Sequence, residues 1–158
     1  MARTARRKPI ADNRKAFHDY HVLDRVEAGI ALTGTEVKSL RDGGGNLRDS
    51  YAVIRGGEVY LVGANIAPYR QGNIANHEPD RERKLLLHRR EIGQLDAKTT
   101  QRGMTIVPLS MYFSDGKVKV ELALARGKQA HDKRQDMARR DAQREVTREL
   151  GRRVKGMS

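Results

Sequence analysis

Tyr20–Leu32 reads YHVLDRVEAGIAL, and this stretch decides the fold. Its even positions are Tyr20, Val22, Asp24, Val26, Ala28, Ile30 and Leu32, while the odd ones are His21, Leu23, Arg25, Glu27, Gly29 and Ala31. Alternation sustained over that length is the period of a β-strand, with Asp24 as an inward exception and Gly29 marking a bulge or bend. Further along, Tyr51–Arg55 and Glu58–Asn65 flank Gly56-Gly57, a pair able to take the positive φ of a tight hairpin turn. Arg83–Leu87 (RKLLL) has the character of a buried strand, which by itself assigns Leu86 to the core. Thr105–Tyr112 and Lys117–Ala125 form a last hairpin around Asp115-Gly116. Val118, Val120, Leu122 and Leu124 share one face there, and Lys119 and Glu121 the other. Pro108 has no amide to donate, so it belongs on an edge or at a bulge.

Two short helices complete the inventory. Thr33-Gly34-Thr35-Glu36 has capping-box spacing, which predicts a helix over Thr35–Asp42 with Val37 and Leu40 buried and Lys38 and Arg41 exposed. Gly43-Gly44-Gly45 ends it. His88–Arg102 is the second helix, with Ile92 and Leu95 inward and Gly103 closing it. Between them, Ile66–Glu82 has no periodicity, and a loop of that length inside a small domain tends to be functional, so it is expected to form contact surface. Six strands and two short helices make a mainly β domain. A six-stranded antiparallel barrel, closed or nearly so, removes the exposed edges, and barrels of oligonucleotide-binding topology offer a strand face to nucleic acid.

Charge divides the chain into three. Met1–Lys15 carries 6 basic and 1 acidic residue, Arg126–Ser158 carries 11 and 5, and together these ends supply 11 of the net +12. The predicted organisation is a flexible basic arm over 1–15, an almost neutral barrel domain over 16–125 that binds RNA, and a basic tail over 126–158. Such cationic arms suit phosphate backbones. The tail's apolar residues form only a thin line, Ala138, Ala142, Val146, Leu150 and Val154, narrower than a core-facing helix needs. Asp132 and Asp136 load its amino end, so it reads as a helix that orders when it meets an acidic surface.

No constellation suggests catalysis, and neither a cofactor nor a metal is expected. Cysteine is absent. His77 and His88 lack metal-ligand spacing. Asp80 and Glu82 could hold Mg²⁺ as nuclease carboxylates do, but interleaved with Arg81 and Arg83 they read as a solvated, self-neutralised rim. Gly43-Gly44-Gly45 is not followed by the Lys-Ser/Thr of a phosphate loop. With only 4% aromatics, stacking on single strands is a weak option, which favours folded RNA. No apolar run reaches the ~18 residues of a membrane helix, and the start lacks a secretory signal's apolar stretch, so a soluble cytoplasmic protein with no membrane partner is expected. A structural ribosomal protein with rRNA-binding arms is the alternative that composition leaves open.

Four runs taken together carry a resemblance: Gly34–Arg41 (GTEVKSLR), Asn46–Tyr51 (NLRDSY), Asn76–Leu87 with its RKLLL end, and Gly127–Arg134 (GKQAHDKR). In order and spacing, from Asn13 to Arg148, they resemble the SmpB family, which binds transfer-messenger RNA (tmRNA) in bacterial ribosome rescue. The resemblance implies an oligonucleotide-binding barrel that holds the tRNA-like domain of tmRNA and substitutes for its missing anticodon arm. It implies entry into stalled ribosomes with elongation factor Tu, the tail settling in the vacant mRNA channel near the decoding centre and becoming helical there. It further implies alanyl-tRNA synthetase as an indirect partner through the RNA, and a monomer is expected.

On the barrel the resemblance implies RNA contacts from Glu27, Lys38, Arg83, Lys84, Leu86 and His88; in the tail, ribosome contacts from Gly127, Lys128, His131, Asp132, Lys133 and Arg134. Glu27 facing RNA must accept from base or 2′-OH donors. His131 is placed to stack on a base of the decoding centre, whereas residue chemistry alone reads it as a solvated linker histidine. Gly127 is the hinge, or an ordinary strand-end turn. Two departures stand out. His88 replaces an Asn of some relatives, and Gln129 replaces a residue that is often basic.

Overall fold

The structure, a computed structural model, describes residues 7–70, 76–101 and 103–128, and in the tail Arg134, Ala138, Arg139, Ala142 and Arg144. The strands are β1 (Arg7–Asp12), β2 (Tyr20–Ile30), β3 (Gly45–Asn46), β4 (Tyr51–Arg55), β5 (Glu58–Val62), β6 (Asn65–Ile66), β7 (Arg83–Leu86), β8 (Met104–Ser114) and β9 (Lys117–Gly127). The helices are α1 (Arg14–Asp19), α2 (Gly34–Arg41) and α3 (Arg89–Thr99). All six predicted strands are present, and they alone form a ring in the order β8-β4-β5-β7-β2-β9, closed by the β8–β9 hairpin. Every pairing is antiparallel.

Four elements depart from the sequence expectation. Regular structure is already present at Arg7, ahead of the expected start near Ala16, because β1 lies along β8 from Arg7 opposite Ser114 to Asp12 opposite Ser110. Its backbone amides find partners even though its side chains are mostly exposed, so apolar content was a poor guide to order here. Helix α1 was not expected either. The short pair β3–β6 ties the glycine run to the start of the 66–82 loop, so that loop does not begin structureless.

Two β-bulges decide where the side chains go. In β8 Pro108 faces Leu122 and Ser110 faces Glu121, so Leu109 is an extra residue. The inserted residue reverses the alternation: Ile106 lies in the barrel core before it, Met111 and Phe113 after it. Val107 and Leu109 turn instead to a second cluster with Ala16 of α1, Ala123 and Ala125. Asn13, buried, fastens α1 to this bulge, its amide donating to the Leu109 carbonyl at 2.8 Å and its Nδ2 to the Pro108 carbonyl at 2.8 Å. Pro108 is thus tolerated away from an edge at a bulge, one of the two places expected.

In β2 the bulge is at Leu23, not at Gly29. Before it Tyr20 and Val22 pack on the α1 cluster; after it Val26, Ala28 and Ile30 enter the barrel core. Asp24 is not inward: it is carried into solvent, where Lys98 Nζ donates to it at 3.3 Å.

The most telling interior feature is ionic. Glu36 and Arg83 are both 0% exposed. Glu36 accepts the Thr33 amide at 2.8 Å, as the capping box required, and then a short bond from Arg81 and one of 2.6 Å from Arg83 Nε. The remaining Arg83 donors go to the carbonyls of Ala64, Glu78, Pro79 and Arg81 at 3.0–3.3 Å. Asp80 accepts from Asn65 at 2.7 Å and Glu82 from Arg55 at 3.1 Å. Asp80 and Glu82 are exposed, the solvated carboxylates expected, but Arg81 and Arg83 do not neutralise them, because both turn to Glu36. Arg83 is the strut on which the end of the loop is built.

Burial alone would raise the Glu36 pKa, but bonds from Arg81, the Thr33 amide and Arg83 outweigh it and hold the carboxyl at about 2 against an ordinary 4.5. A carboxyl depressed on folding contributes stability above its unfolded pKa, and that contribution is lost as pH falls through the folded value. The expected loss is on the order of 3 kcal/mol between pH 4.5 and 2. Urea unfolding across that window checks it: a Glu36→Gln chain should show a shallower acid slope than the unaltered chain.

Candidate nucleic-acid interface

The outer face of the ring is set by register. Gly29 of β2 lies opposite Leu86 of β7 and opposite Lys119 of β9. Continuing the antiparallel register brings Glu27 toward His88, the residue that precedes α3. These side chains line one open groove of ≈ 670 Å³, with Glu27, Leu86 and His88 along it and Lys117 and Lys119 on the β9 side. Gly29 keeps its floor low, since a Cβ there would come within 3.2 Å of the Leu86 Cβ.

Strand alternation explains which β7 residues reach this face. Leu85 is 0% exposed and Leu86 is 50% exposed, so the core assignment that residue type gave Leu86 is corrected. Lys84 shares the outward face and pairs with Glu58 at 3.4 Å. Arg83 points inward and, fully buried, cannot touch an RNA; it drops out of the contact set. Lys38 lies on α2 outside the groove lining, its Nζ 5.7 Å from the centre of the Tyr69 ring. Of the six barrel residues, three converge, one flanks them, one lies apart and one is interior.

Two carboxylates line the groove: Glu91, which accepts the His88 amide at 3.0 Å, and Glu27. Glu27 faces Glu121 directly across β2 and β9, an arrangement that repels unless each has its own donor. Arg25 takes Glu121 at 3.1 Å, while Glu27 Oε2 accepts a short bond from the Tyr112 hydroxyl and one of 3.4 Å from Arg7. Neither Arg7 nor Tyr112 was singled out from the sequence. The change of parity at the β8 bulge hid the fact that Tyr112 shares an outer face with Glu27.

The loop that was expected to form contact surface is anchored at both described ends. His77 bonds the Thr35 hydroxyl and the Ile66 carbonyl, each at 2.9 Å, and Asn76 exchanges bonds with the Tyr69 backbone. Residues 71–75 lie outside the described residues. In the tail, contacts divide the chain after Gly127, two residues beyond the expected boundary, because β9 continues to Gly127 opposite Tyr20. Gly127 ends β9 and Lys128 follows it. Arg134 has helical backbone and is exposed, whereas His131, Asp132 and Lys133 lie outside the described residues. Among the described residues no group of His, Cys, Asp and Glu is arranged to hold a metal, and no helix is long and apolar enough to cross a membrane.

A closed β-ring with a mixed-charge groove, lysines at its rim and a cationic extension belongs to the class of small barrel proteins whose surface chemistry suits RNA. Comparison with known proteins names the particular case: residues 10–152 match the model of the SmpB protein family, and the chain belongs to that family. It is 64% identical over 149 residues to the SsrA-binding protein of Mycolicibacterium gilvum, covering 94% of this chain and 90% of the relative. It is 62% identical to that of Mycobacterium tuberculosis over the whole of both chains. Its fold is similar to a chain from the structure described as "tmRNA-SmpB: a journey to the center of the bacterial ribosome", with a TM-score of 0.65 and 53% identity, covering 77% of this chain and 86% of that one.

Proposed function

We propose that this protein is a non-enzymatic adaptor of trans-translation: it binds the tRNA-like domain of tmRNA and delivers it to stalled ribosomes for rescue and peptide tagging. The observation that carries this reading is the convergence of Glu27, Leu86 and His88 in one groove on the outside of the ring. Leu86 offers an exposed apolar surface to a base or sugar, Glu27 accepts from 2′-OH or base amino groups, and His88 can donate or accept. Lys84, Lys117 and Lys119 supply phosphate contacts around them. The barrel takes the oligonucleotide-binding form and acts as a monomer in the cytoplasm, with elongation factor Tu and alanyl-tRNA synthetase reached only through the RNA. The tail, beginning at Lys128, settles in the vacant mRNA channel and becomes helical there, with His131, Asp132, Lys133 and Arg134 toward the decoding centre.

Sequencing the RNA that co-purifies with the protein tests the whole reading. tmRNA should dominate; ribosomal RNA at stoichiometric level that survives a salt wash would instead make the chain a ribosomal component. Within the groove, Glu27→Ala is expected to weaken affinity for a transcript of the tRNA-like domain about tenfold, measured by filter binding at fixed salt.

A further inference from the structure

We propose that Tyr112, with Arg7 laid over its ring, is a positioning residue for Glu27: its hydroxyl fixes one carboxylate oxygen so that the other is presented to the RNA. This rests on the functional reading above, in which Glu27 faces RNA. Tyr112 is on β8 and Glu27 on β2, with β9 between them, so the phenol must reach across a whole strand to make its bond. Tyr112 is only 5% exposed. Its ring is covered by the Arg7 guanidinium at 4.8 Å, and the same guanidinium donates to Glu27 at 3.4 Å.

Both of these bonds fall on Oε2. Among the described residues none falls on Oε1. A carboxylate rotates freely about its last torsion unless one oxygen is held, and a held carboxylate presents its second oxygen in a fixed direction. Burial, followed by the neighbouring Glu27, pushes the Tyr112 pKa up to about 12, so the phenol remains a donor throughout the physiological range. Arg7 offsets the negative charge that would otherwise meet an approaching polyanion, and it is supplied by β1, the strand added outside the ring.

The test is a double-mutant cycle on the full chain, with a transcript of the tRNA-like domain of tmRNA as the probe. Tyr112→Phe keeps the ring under Arg7 and removes only the hydroxyl. It is expected to weaken binding about fivefold when Glu27 is present and to have no further effect in a Glu27→Ala background. A purely structural tyrosine would show the same loss in both backgrounds, and that result overturns the proposal. Arg7→Gln should weaken binding while leaving the slope of log affinity against log salt unchanged; a slope shallower by about 0.7–0.9 would make Arg7 a phosphate contact and remove it from the assignment. If the unaltered chain does not bind the transcript, the functional reading itself fails. If it binds and Tyr112→Phe binds equally well, the positioning role alone fails; if Glu27→Ala binds equally well, the Glu27 contact to RNA fails and the positioning role with it.

Discussion

Glu36→Gln is expected to destabilise the protein by about 3–5 kcal/mol, the range found when one partner of a buried ion pair is removed. The substitution preserves shape and keeps an acceptor for the Thr33 amide. What it removes is the charge that balances Arg83, a side chain 0% exposed whose other partners are all backbone carbonyls. A guanidinium does not shed its proton, so the uncompensated charge has to be borne or the loop carrying residues 78–83 has to open to water. Urea unfolding reads the outcome as a lower midpoint at unchanged slope. Exchanging the partners together, Glu36→Leu with Arg83→Met, should recover part of the loss because neither charge is then buried alone. A loss below about 1 kcal/mol for Glu36→Gln would mean that water already reaches the pair, and the strut role assigned to Arg83 would be abandoned.

The second large effect is functional. A chain ending at Gly127 is expected to hold the tRNA-like domain with nearly full affinity at salt high enough to screen the tail's non-specific attraction, yet to support no peptide tagging. Asp132→Ala with Lys133→Ala should reproduce most of that loss while sparing nearly all of the tail's charge. The cut belongs after Gly127 and not after Ala125, because Arg126 and Gly127 still pair with His21 and Tyr20 in the β2–β9 ladder. Tagging at full rate by the shortened chain would refute the division of labour between barrel and tail. So would a drop in RNA affinity for the double substitution as large as that for Glu27→Ala.

Much of the ring was legible because its strands alternate and their turns carry Gly56-Gly57 and Asp115-Gly116, all four at positive φ. What escaped is traceable to particular residues. The unbroken period of Tyr20–Ile30 conceals a bulge at Leu23, since the inserted residue moves the even positions from one apolar cluster to another without disturbing the pattern in sequence. Strand β1 carries little apolar surface and is held by backbone bonding to a partner about a hundred residues away, which no local pattern records. Arg83 looks like a surface charge next to Asp80 and Glu82; only the distant Glu36, set by its capping role, brings it inside. For the groove, Glu27, Leu86 and His88 came from family resemblance, whereas Arg7 and Tyr112 required the register of three strands.

The pairing of Arg7 with Ser114 and of Tyr20 with Gly127 also sets an order of events during synthesis. Both β1 and β2 wait for residues made about a hundred positions later, so a nascent chain carries two open strand edges until β8 and β9 emerge. Only then can Arg7 be laid over the Tyr112 ring on the outer wall. The face proposed for RNA recognition is therefore acquired last, in a single closing step, and a half-made copy has no organised surface with which to compete for RNA.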